Sequence, residues 1–494
     1  MIPLTAAEIA EAVSGRLRGV EAPHRLTVTA ADTDSRQMSP GALFIAKPGE
    51  QTDGHHFIDD ALAAGAVLVL AERETHAPDG TAHPAVLVDD VVDAMGDLAA
   101  EIVTRIRAHS PTTVIGITGS AGKTTTKDLL AAVLSAEAPT IAPQGSYNGE
   151  VGVPLTVFTA ELDTRYLVIE MGADAPGNIR QLCEMVRPDI GTVLMVGSAH
   201  AGKFAEAGGD WRQVIAATKG ELAECASTHV ILNADDPQVA AMAERAHAPV
   251  TWFGTGSGAV GGSQHLSVAA EDVRLDDTGR AELTLVFYDH AEADRHAYRI
   301  TSGLIGAHHV TNLLAAASAA WRAGLVPTDI AERLDGLTAA SRWRMERTDR
   351  PDGVTVINDA YNANPESMRE ALKTLARLAR PAEGPLRRSV AVLGGMLELG
   401  EQTAVRHAQI GETVVRLNID QTLVVGDTAY PLYRGAIAEG SWADEVHWVP
   451  DAEAAHAWLN EHLSSGDIVL FKSSRDAGLR LLGDRIAEQG KDTV

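Results

Sequence analysis

The segment GITGSAGKTTT, residues 116–126, constrains the fold of this chain more than any other stretch. It joins the apolar run TVIGIT, which predicts a buried strand, to KTTTKDLLAAVLSA, whose spacing predicts a helix. In such a loop Gly119 and Gly122 let backbone N–H groups converge on phosphate oxygens, because no Cβ atom stands in the way. Lys123 can neutralise the β and γ phosphates, and Thr124 can place its hydroxyl on Mg²⁺. The segment therefore predicts a nucleotide-binding α/β domain.

The loop is shorter than the commonest phosphate-binding loop. That pattern requires a glycine five positions before the glycine of GKT, where this chain has Ile117. An ordinary glycine-rich turn between a strand and a helix is the simpler alternative, but such a turn does not require the GKT sequence. The compact loop therefore narrows the class of nucleotide-binding protein.

Length and charge limit the number of domains and the kinds of partner. The 494 residues suggest roughly three domains, because one domain usually holds about 100 to 200 residues. The 41 basic and 67 acidic side chains give a formal net charge of −26, which would repel a polyanion along most of the surface. The sequence therefore argues against nucleic acid and against an anionic membrane as partners. A small anion such as ATP is compatible with this charge, since local cations and helix N-termini act at short range.

The cysteine content and the N-terminus favour a cytoplasmic protein. Cys183 and Cys225 are the only cysteines, too few for a disulfide framework and without CxxC metal spacing. The sequence MIPLTAAEIAEAV contains two acidic residues and no basic region of the kind that begins a signal peptide. No apolar run reaches the roughly 18 residues that a membrane-spanning helix needs. We expect a cytoplasmic monomer without membrane insertion.

Patterning along the chain predicts three α/β domains, residues 1–108, 109–340 and 341–494. The first ends in the amphipathic stretch DAMGDLAAEIVTRIRAH, after which Pro111 precedes a new apolar strand. In the second, TVIGIT, RYLVIEM, IGTVLMV and HVILNAD predict a parallel P-loop ATPase-like sheet, and 262–301 alternates in polarity as antiparallel edge strands do. The third begins near the charged SRWRMERTD and continues with VTVIND, PESMREALKTLARLA, SVAVLGGM, QTLVVG and DIVLFK, a series typical of a Rossmann-like domain.

Five motifs along the chain resemble one enzyme family. They are TGSAGKTTT, DTDSR at 32–36, GEQTDGHHF at 49–57, NDAYNANPESM at 358–368 and LGGMLELG at 393–400. Together they resemble the Mur ligases, ATP-dependent amide-forming enzymes of cell-wall precursor synthesis, to which the folylpolyglutamate synthetases are related. NDAYNANPESM is similar to the motif of the member that uses a dipeptide, and the DNPR motif of the member that adds a diamino acid is absent.

The resemblance implies an ATP- and Mg²⁺-dependent ligase that joins D-alanyl-D-alanine to UDP-N-acetylmuramoyl-tripeptide through an acyl phosphate. The first domain would bind the nucleotide-sugar peptide, the second ATP and Mg²⁺, and the third would complete the site and receive the dipeptide. By the same resemblance, the catalytic residues are Lys123, Lys219, His200 and Arg344.

Four metal ligands are implied by the resemblance: Thr124, Glu170, His200 and Lys219. Glu170 ends the strand YLVIE, at the sheet edge where such folds bind ligands, and its oxygens suit Mg²⁺. Lys219 resembles a lysine that carries a carbamate made from CO₂, which requires a neutral amine and therefore a lowered pKa. The alternatives are that Glu170 is a solvated strand end and that His200 is a loop histidine without a role. Lys219 would then be a surface lysine paired with Glu221 or Glu224.

The implied ATP contacts are Gly119, Ser120, Ala121, Gly122, Lys123, Thr124, Thr125, Asn148, Asn312, Arg344 and Asp359. The amides of Asn148 and Asn312 offer the donor and acceptor that adenine presents. Relatives typically have GRHN where this chain has GAHH at 306–309, and the sequence leaves open whether His309 replaces the missing asparagine. Arg344 is either a phosphate contact or a solvated linker charge, and Asp359 would bind a ribose.

The implied substrate contacts are Ser35, Arg36, Thr52, Asp53, His55, Tyr361, Asn362 and Asn364. The first five belong to the predicted uridine diphosphate site, and the last three to the motif that points to the dipeptide. Two residues depart from the pattern of relatives: Gly395 stands where they often have aspartate, and Ser473 where they usually have glycine.

Three other functions are compatible with parts of the sequence. A sibling Mur ligase would share the chemistry and differ in the amino acid that it adds. A folylpolyglutamate synthetase would share the phosphate loop but has no use for a UDP-binding domain. An ATP-binding regulator without ligase activity would need the loop but neither Glu170, His200 nor Lys219.

Overall fold

A computed structural model describes residues 1–49, 52–206, 208–256, 266–289, 294–441 and 444–489. Residues 50 and 51 of the predicted loop 49–57 lie outside these ranges, as do 262–265 and 290–293 of the predicted antiparallel segment.

The N-terminal part of the chain forms a five-stranded sheet and three helices. Its elements are β1 (Leu4–Thr5), α1 (Ala6–Ala12), β2 (Arg16–Arg18), β3 (Thr27–Val28), β4 (Ala30–Asp32), β5 (Ala42–Ile45), α2 (Ile58–Ala63), β6 (Ala66–Ala71), β7 (Ala85–Leu87) and α3 (Val91–His109). The sheet order is β2-β7-β6-β5-β4, parallel except for the antiparallel pair β2-β7, and β1 pairs with β3 separately.

The central part forms a nine-stranded sheet with helices on both faces. Its elements are β8 (Thr113–Thr118), α4 (Lys123–Ser135), β9 (Thr140–Ile141), α5 (Gly152–Val157), β10 (Tyr166–Glu170), α6 (Asn178–Val186), β11 (Ile190–Val193), α7 (Ala201–Glu206), α8 (Trp211–Cys225), β12 (His229–Asn233), α9 (Pro237–Ala240), β13 (Val250–Gly254), β14 (Val268–Leu275), β15 (Arg280–Asp289), β16 (Asp294–Ile305), α10 (His309–Arg322) and α11 (Pro327–Leu334). The order is β16-β15-β14-β13-β12-β11-β8-β10-β9. The strands from β9 to β14 are parallel, whereas β14, β15 and β16 pair antiparallel at one edge, as the sequence predicts.

The C-terminal part forms a six-stranded sheet in the order β17-β18-β22-β19-β20-β21. Its elements are β17 (Glu346–Asp349), β18 (Thr355–Asn358), α12 (Pro365–Ala379), β19 (Ser389–Leu393), α13 (Thr403–Arg416), β20 (Gln421–Val425), α14 (Tyr430–Glu439), β21 (Val446–Val449), α15 (Ala452–His462), β22 (Ile468–Lys472) and α16 (Leu479–Glu488). Apart from the antiparallel pair β17-β18 the neighbours are parallel, which fits the predicted Rossmann-like domain.

Alternating side chains of the central strands supply two separate cores. On β8, Val114 belongs to the core on one face of the sheet, whereas Ile115 and Ile117 belong to the core on the other. Because both faces are covered, the strands are apolar at nearly every position, and this explains why they could be identified from the sequence.

The helix α3 joins the N-terminal part to the central part through one continuous core. Asp90 caps its N-terminus, since its side chain accepts hydrogen bonds from the N–H groups of Val92 and Asp93 at 2.7 and 3.0 Å. Its buried residues share a cluster with apolar residues of α5 and α6. The three-domain α/β fold is confirmed, whereas the exact domain bounds 1–108, 109–340 and 341–494 stay a prediction.

Candidate active site

The phosphate loop connects β8 to α4 and requires glycine at its last position. Gly122 precedes the first residue of α4 and has a φ of 84°, in the left-handed region that side chains disfavour. A Cβ atom on Gly122 would also lie 2.3 Å from Asn312 Oδ1. The loop backbone can therefore take this path only without a side chain at residue 122.

Lys123 is half-buried at the start of α4, with its Nζ donating to the Gly119 carbonyl oxygen at 2.7 Å. Burial lowers the pKa of Lys123, and the nearby Glu170 carboxylate opposes that shift. The amine is thus held in the loop, where a triphosphate would meet it.

A cavity of about 800 Å³ opens beside this loop, at the carboxyl edge of the central sheet. Both the central and the C-terminal parts of the chain line it. The residues that line it are Ser120, Ala121, Gly122, Lys123, Thr124, Thr125, Ser146, Asn148, Glu170, Leu194, Met195, Ala199, His200, Asn233, His308, His309, Thr311, Asn312, Arg344, Asp359, Tyr361, Asn362, Ala363, Asn364, Glu366, Ser367, Glu370, Leu397, Glu398, Lys472, Ser474, Arg475 and Asp476.

Glu170 ends β10 inside this cavity and is fully buried, so it is not a solvated strand end. Its carboxylate accepts hydrogen bonds from Thr124 Oγ1 at 2.9 Å, Ser146 Oγ at 2.7 Å and Asn148 Nδ2 at 2.8 Å. These partners are neutral, and the cluster presents oxygen atoms of the kind that Mg²⁺ prefers. The Asn148 amide thus binds the Glu170 carboxylate, whereas the resemblance implied a contact between Asn148 and adenine.

Lys219 lies on α8 and is 3% exposed, so it is not a surface lysine. The two carboxylates considered as its partners bind elsewhere: Glu221 accepts the N–H groups of Gly177 and Arg180, and Glu224 pairs with Arg180 and Arg245. Burial, and then repulsion by Lys123, lowers the pKa of Lys219 well below its usual value. A lowered pKa favours the neutral amine, which is the form that reacts with CO₂.

His200 lies at the start of α7, with a φ of 59°, and faces the C-terminal part. Its Nδ1 is 2.5 Å from Glu398 Oε2, at ion-pair distance but outside the angular range of a hydrogen bond. Gly202 adds a second connection, since its N–H donates to the Glu398 carbonyl oxygen at 3.0 Å. Within the described ranges there is no group of three or more His, Cys, Asp or Glu side chains that could hold a metal ion.

Arg344 reaches the phosphate loop from the segment between the central and C-terminal sheets. Its Nη2 donates to Thr124 Oγ1 at 3.1 Å, and its guanidinium lies 4.4 Å from the centroid of the Tyr361 ring. The neighbours Trp343 and Met345 both have φ in the left-handed region, at 60° and 51°. This backbone directs Arg344 into the cavity, so it is not a solvated linker charge.

Asp359 follows β18 and binds protein groups at both carboxylate oxygens. Its Oδ2 accepts from Lys472 Nζ at 2.6 Å, and its Oδ1 accepts from the Met345 N–H at 3.2 Å. Lys472 also donates to the Asn362 carbonyl oxygen at 3.1 Å. The sequence did not indicate Lys472, although its place at the end of the strand DIVLFK was a usable signal. Lys472 is 2% exposed.

Asn364 and Glu366 connect α12 to the central part of the chain. Asn364 Oδ1 caps α12 by accepting from the Ser367 N–H at 2.8 Å, and its Nδ2 donates to the Ser120 carbonyl oxygen at 3.2 Å. Glu366 accepts hydrogen bonds from the Ser198 N–H at 3.2 Å and from Ser198 Oγ at 2.9 Å. The structure thus uses the Asn364 side chain to position the loop, where the sequence implied a direct substrate contact. No sequence signal marked Ser198 or Glu366.

The predicted uridine diphosphate contacts lie outside this cavity, at the carboxyl edge of the N-terminal sheet. Ser35 and Arg36 follow β4, and the Arg36 guanidinium binds Asp34 at 2.8 Å. Asp53 and His55 follow the neighbouring strand β5 together with Thr52, and His55 Nδ1 is 2.6 Å from Asp53 Oδ1. The Arg73 guanidinium and the His55 N–H hold the pKa of Asp53 well below its usual range. The two loops therefore meet at one edge, although neither lines the central cavity.

Two remaining residues from the sequence comparison are structural in position. Ser473 is fully buried and donates to the Ser474 carbonyl oxygen at 3.0 Å, and Gly395 packs against Thr428. Neither of them lines the cavity. In the part of the chain that the structure describes, no helix is both long and apolar enough to cross a bilayer.

A nucleotide loop in a central sheet, with residues of a C-terminal α/β unit closing over it, defines a three-part nucleotide-dependent ligase. The family descriptions that match are "Mur ligase family, catalytic domain" over 27–116, "Mur ligase middle domain" over 117–320 and "Mur ligase, glutamate ligase domain" over 343–475. The chain belongs to the Mur ligase family.

Individual relatives narrow the comparison further. UDP-N-acetylmuramoyl-tripeptide–D-alanyl-D-alanine ligase of Mycobacterium tuberculosis is 42% identical over 98% of both chains, and the protein of that name from Bacillus subtilis is 31% identical over 97% of both. Among solved structures, MurF from Acinetobacter baumannii covers 99% of both chains with a TM-score of 0.82 and 27% identity. MurF ligase from Thermotoga maritima in complex with ADP has a TM-score of 0.75 and 27% identity, covering 94% of this chain and 99% of that one.

Proposed function

We propose that this protein joins D-alanyl-D-alanine to UDP-N-acetylmuramoyl-tripeptide, with cleavage of ATP to ADP and phosphate, in peptidoglycan precursor synthesis. The observation that supports the reaction type is the contact of Arg344, from outside the central sheet, with Thr124 of the phosphate loop. The names of the whole-length relatives support the choice of substrates.

The phosphate loop is the proposed ATP site. Backbone N–H groups from Ala121 to Thr125 would bind the phosphates, and Lys123 would neutralise them; the Ser120 N–H already donates to the Met195 carbonyl oxygen at 3.0 Å. The Arg344 guanidinium, which Tyr361 supports from one face, would stabilise charge that develops on the transferred phosphoryl group. Asn312 and Asp359 line the same cavity and are proposed as further nucleotide contacts.

Mg²⁺ is the proposed cofactor, and the oxygen donors of Thr124 and Glu170, which lie together in the cavity, suit it. Thr124, Glu170 and His200 would hold the metal together with a carbamate on Lys219. When bound, Mg²⁺ supplies charge neutralisation between the triphosphate and the attacking carboxylate. The carbamate would form by attack of the neutral Lys219 amine on CO₂ with loss of one proton, which changes a buried neutral amine into an anion.

The substrates would approach the cavity from two sides. Ser35, Arg36, Thr52, Asp53 and His55 are the proposed contacts of the uridine diphosphate end, because their loops share one sheet edge. Tyr361 and Asn362, at the wall formed by the C-terminal part, are proposed to contact the dipeptide, with Asn364 placing that wall against the phosphate loop.

Two steps would complete the reaction. The terminal carboxylate of the tripeptide attacks the γ phosphorus in line, the bond to the bridging oxygen breaks, and ADP leaves with that electron pair. The dipeptide amine then attacks the carbonyl carbon of the acyl phosphate, loses a proton, and the tetrahedral intermediate expels phosphate. The protein contributes alignment of three substrates, which removes much of the entropic part of the barrier.

One assay tests the proposal. Phosphate release should require both UDP-N-acetylmuramoyl-tripeptide and D-alanyl-D-alanine, and ¹⁸O placed in the tripeptide carboxylate should appear in the phosphate. Release with a free amino acid in place of the dipeptide would reassign the enzyme to a sibling ligase, and release with a folate substrate would reassign it to the synthetases. ATP binding without any release would indicate a regulator. A cytoplasmic location and a monomeric state are also proposed, and light scattering after size exclusion measures the latter.

A further inference from the structure

His309, the first residue of α10, carries a buried ring nitrogen that points to a ligand. The side chain is 5% exposed and lines the central cavity. Its Nδ1 is 3.1 Å from Asn312 Nδ2, an amide donor, so Nδ1 accepts and the ring proton lies on Nε2. Among the described residues this Nε2 has no hydrogen-bond partner. A buried donor without a partner is costly, so a group that enters the cavity is expected to accept this hydrogen bond.

The surroundings of the ring favour an anionic oxygen as that group. Burial lowers the pKa of His309 well below its usual value, and the neighbouring His308, Arg344 and Lys472 lower it further. The ring is therefore a neutral hydrogen-bond donor that lies near the cationic side chains of Arg344 and Lys472. Asp359 acts on His308, but that carboxylate is already bound to Lys472.

The position of the ring relative to the phosphate loop identifies the anion. Asn312 Nδ2 contacts His309 Nδ1, and Asn312 Oδ1 lies 2.3 Å from the point where a Cβ atom on Gly122 would stand. His309 is thus separated from the last glycine of the phosphate loop by one side chain. On the basis of the proposed function, we propose that His309 donates a hydrogen bond from Nε2 to a phosphate oxygen of the bound nucleotide.

The test compares His309→Phe, which keeps a flat ring but removes the donor, with His309→Gln, which retains an N–H donor. Calorimetry on the full-length protein measures binding of ADP, inorganic tripolyphosphate and adenosine. We expect His309→Phe to weaken ADP and tripolyphosphate by about tenfold and to weaken adenosine clearly less, although the variant also frees the Asn312 amide, whereas His309→Gln recovers most of the affinity. Unchanged ADP affinity in His309→Phe, or an equal loss for adenosine, would overturn the proposal.

A second measurement needs no variant. In the wild-type protein the ¹⁵N-edited imidazole Nε2–H resonance should shift when tripolyphosphate is added and should not shift with adenosine; the reverse result contradicts the inference. The inference and the proposed function fail separately. Binding of ADP through His309 without product from the two peptide substrates would remove the ligase reaction and keep the phosphate contact, whereas product formation with a silent His309 would do the opposite.

Discussion

Lys219 shows how burial changes the chemistry of a single side chain. The residue is 3% exposed, and burial followed by repulsion from Lys123 lowers the pKa of its amine. A lysine of this kind is a nucleophile toward CO₂, whereas the usual surface ammonium is inert. The proposed carbamate is therefore supported by the burial of Lys219 on α8 and by its electrostatic interaction with Lys123 of the phosphate loop.

We expect Lys219→Ala to lose at least about 99% of ligase activity and to regain part of it with added formate or acetate, which can take the place of the carbamate. Replacing one anion at a metal site costs several kcal/mol of transition-state stabilisation, and 1.4 kcal/mol corresponds to tenfold. Steady-state phosphate release measures both effects. Lys123→Ala is the matched control, since its cationic role should not be rescued by an acid. Full activity of Lys219→Ala without any acid would exclude the carbamate.

At the residue scale, local sequence patterns predicted the residues of the phosphate loop and the carboxylate at the strand end. They did not predict residues whose role depends on contacts with distant parts of the chain. Gly122, Lys123 and Glu170 were predicted because the loop and the strand end have a fixed spacing. Lys472 and Ser198 were not, because their importance depends on partners 113 and 168 residues away. The amides of Asn148 and Asn364 were found, but their contacts with Glu170 and Ser120 could not be deduced from composition.

At the scale of elements, the helix α12 was predicted with the bounds that the structure has. Pro365 at its first turn and the Asn364 cap fix its start, and apolar spacing defines the rest. Its N-terminus then performs a second task, since Glu366 in the first turn accepts hydrogen bonds from Ser198. Ser198 lies in the loop that also binds the phosphate loop, through a hydrogen bond from the Gly197 N–H to Ser120 Oγ at 2.8 Å. The helix therefore connects the C-terminal part to the nucleotide site.

We expect Ser198→Ala and Glu366→Ala each to raise the KM for ATP about fivefold to tenfold. The double variant should raise it little further, because each single substitution already removes the same contact between Ser198 and Glu366. The coupling of residues in contact is typically about 0.5–3 kcal/mol. A double-mutant cycle on kcat/KM for ATP measures it. Lys373→Ala, on an exposed face of the same helix, is the control and should change neither the KM for ATP nor kcat/KM for ATP. Additive effects of the two substitutions would show that the contact does not couple the helix to the loop.

At the scale of the whole molecule, α3 makes the N-terminal part a structural extension of the central part. Apolar residues of α3 share one cluster with those of α5 and α6, and Arg107 near its end binds Asp189 at 2.7 Å. The sequence predicted α3 as the last helix of a domain, because this stretch is amphipathic and Pro111 and a new apolar strand follow it. The helix that covers this apolar face, α6, could not be predicted as its partner, because α6 begins at Asn178 and three strands separate it from α3 along the chain.

We expect Ile102→Ala, in the middle of α3, to destabilise the N-terminal and central parts together. Ile102 is fully buried, and removal of so large a buried side chain costs about 2–5 kcal/mol. Urea unfolding should show a lower midpoint for tryptophan fluorescence, to which Trp211, Trp252 and Trp321 of the central part contribute, and for loss of UDP-substrate binding, in one shared transition. Thr104→Ala, an exposed site two residues away on the same helix, should leave the midpoint within about 0.5 kcal/mol of the wild type. Two separated transitions, with only the N-terminal one shifted, would mean that the core does not join the two parts.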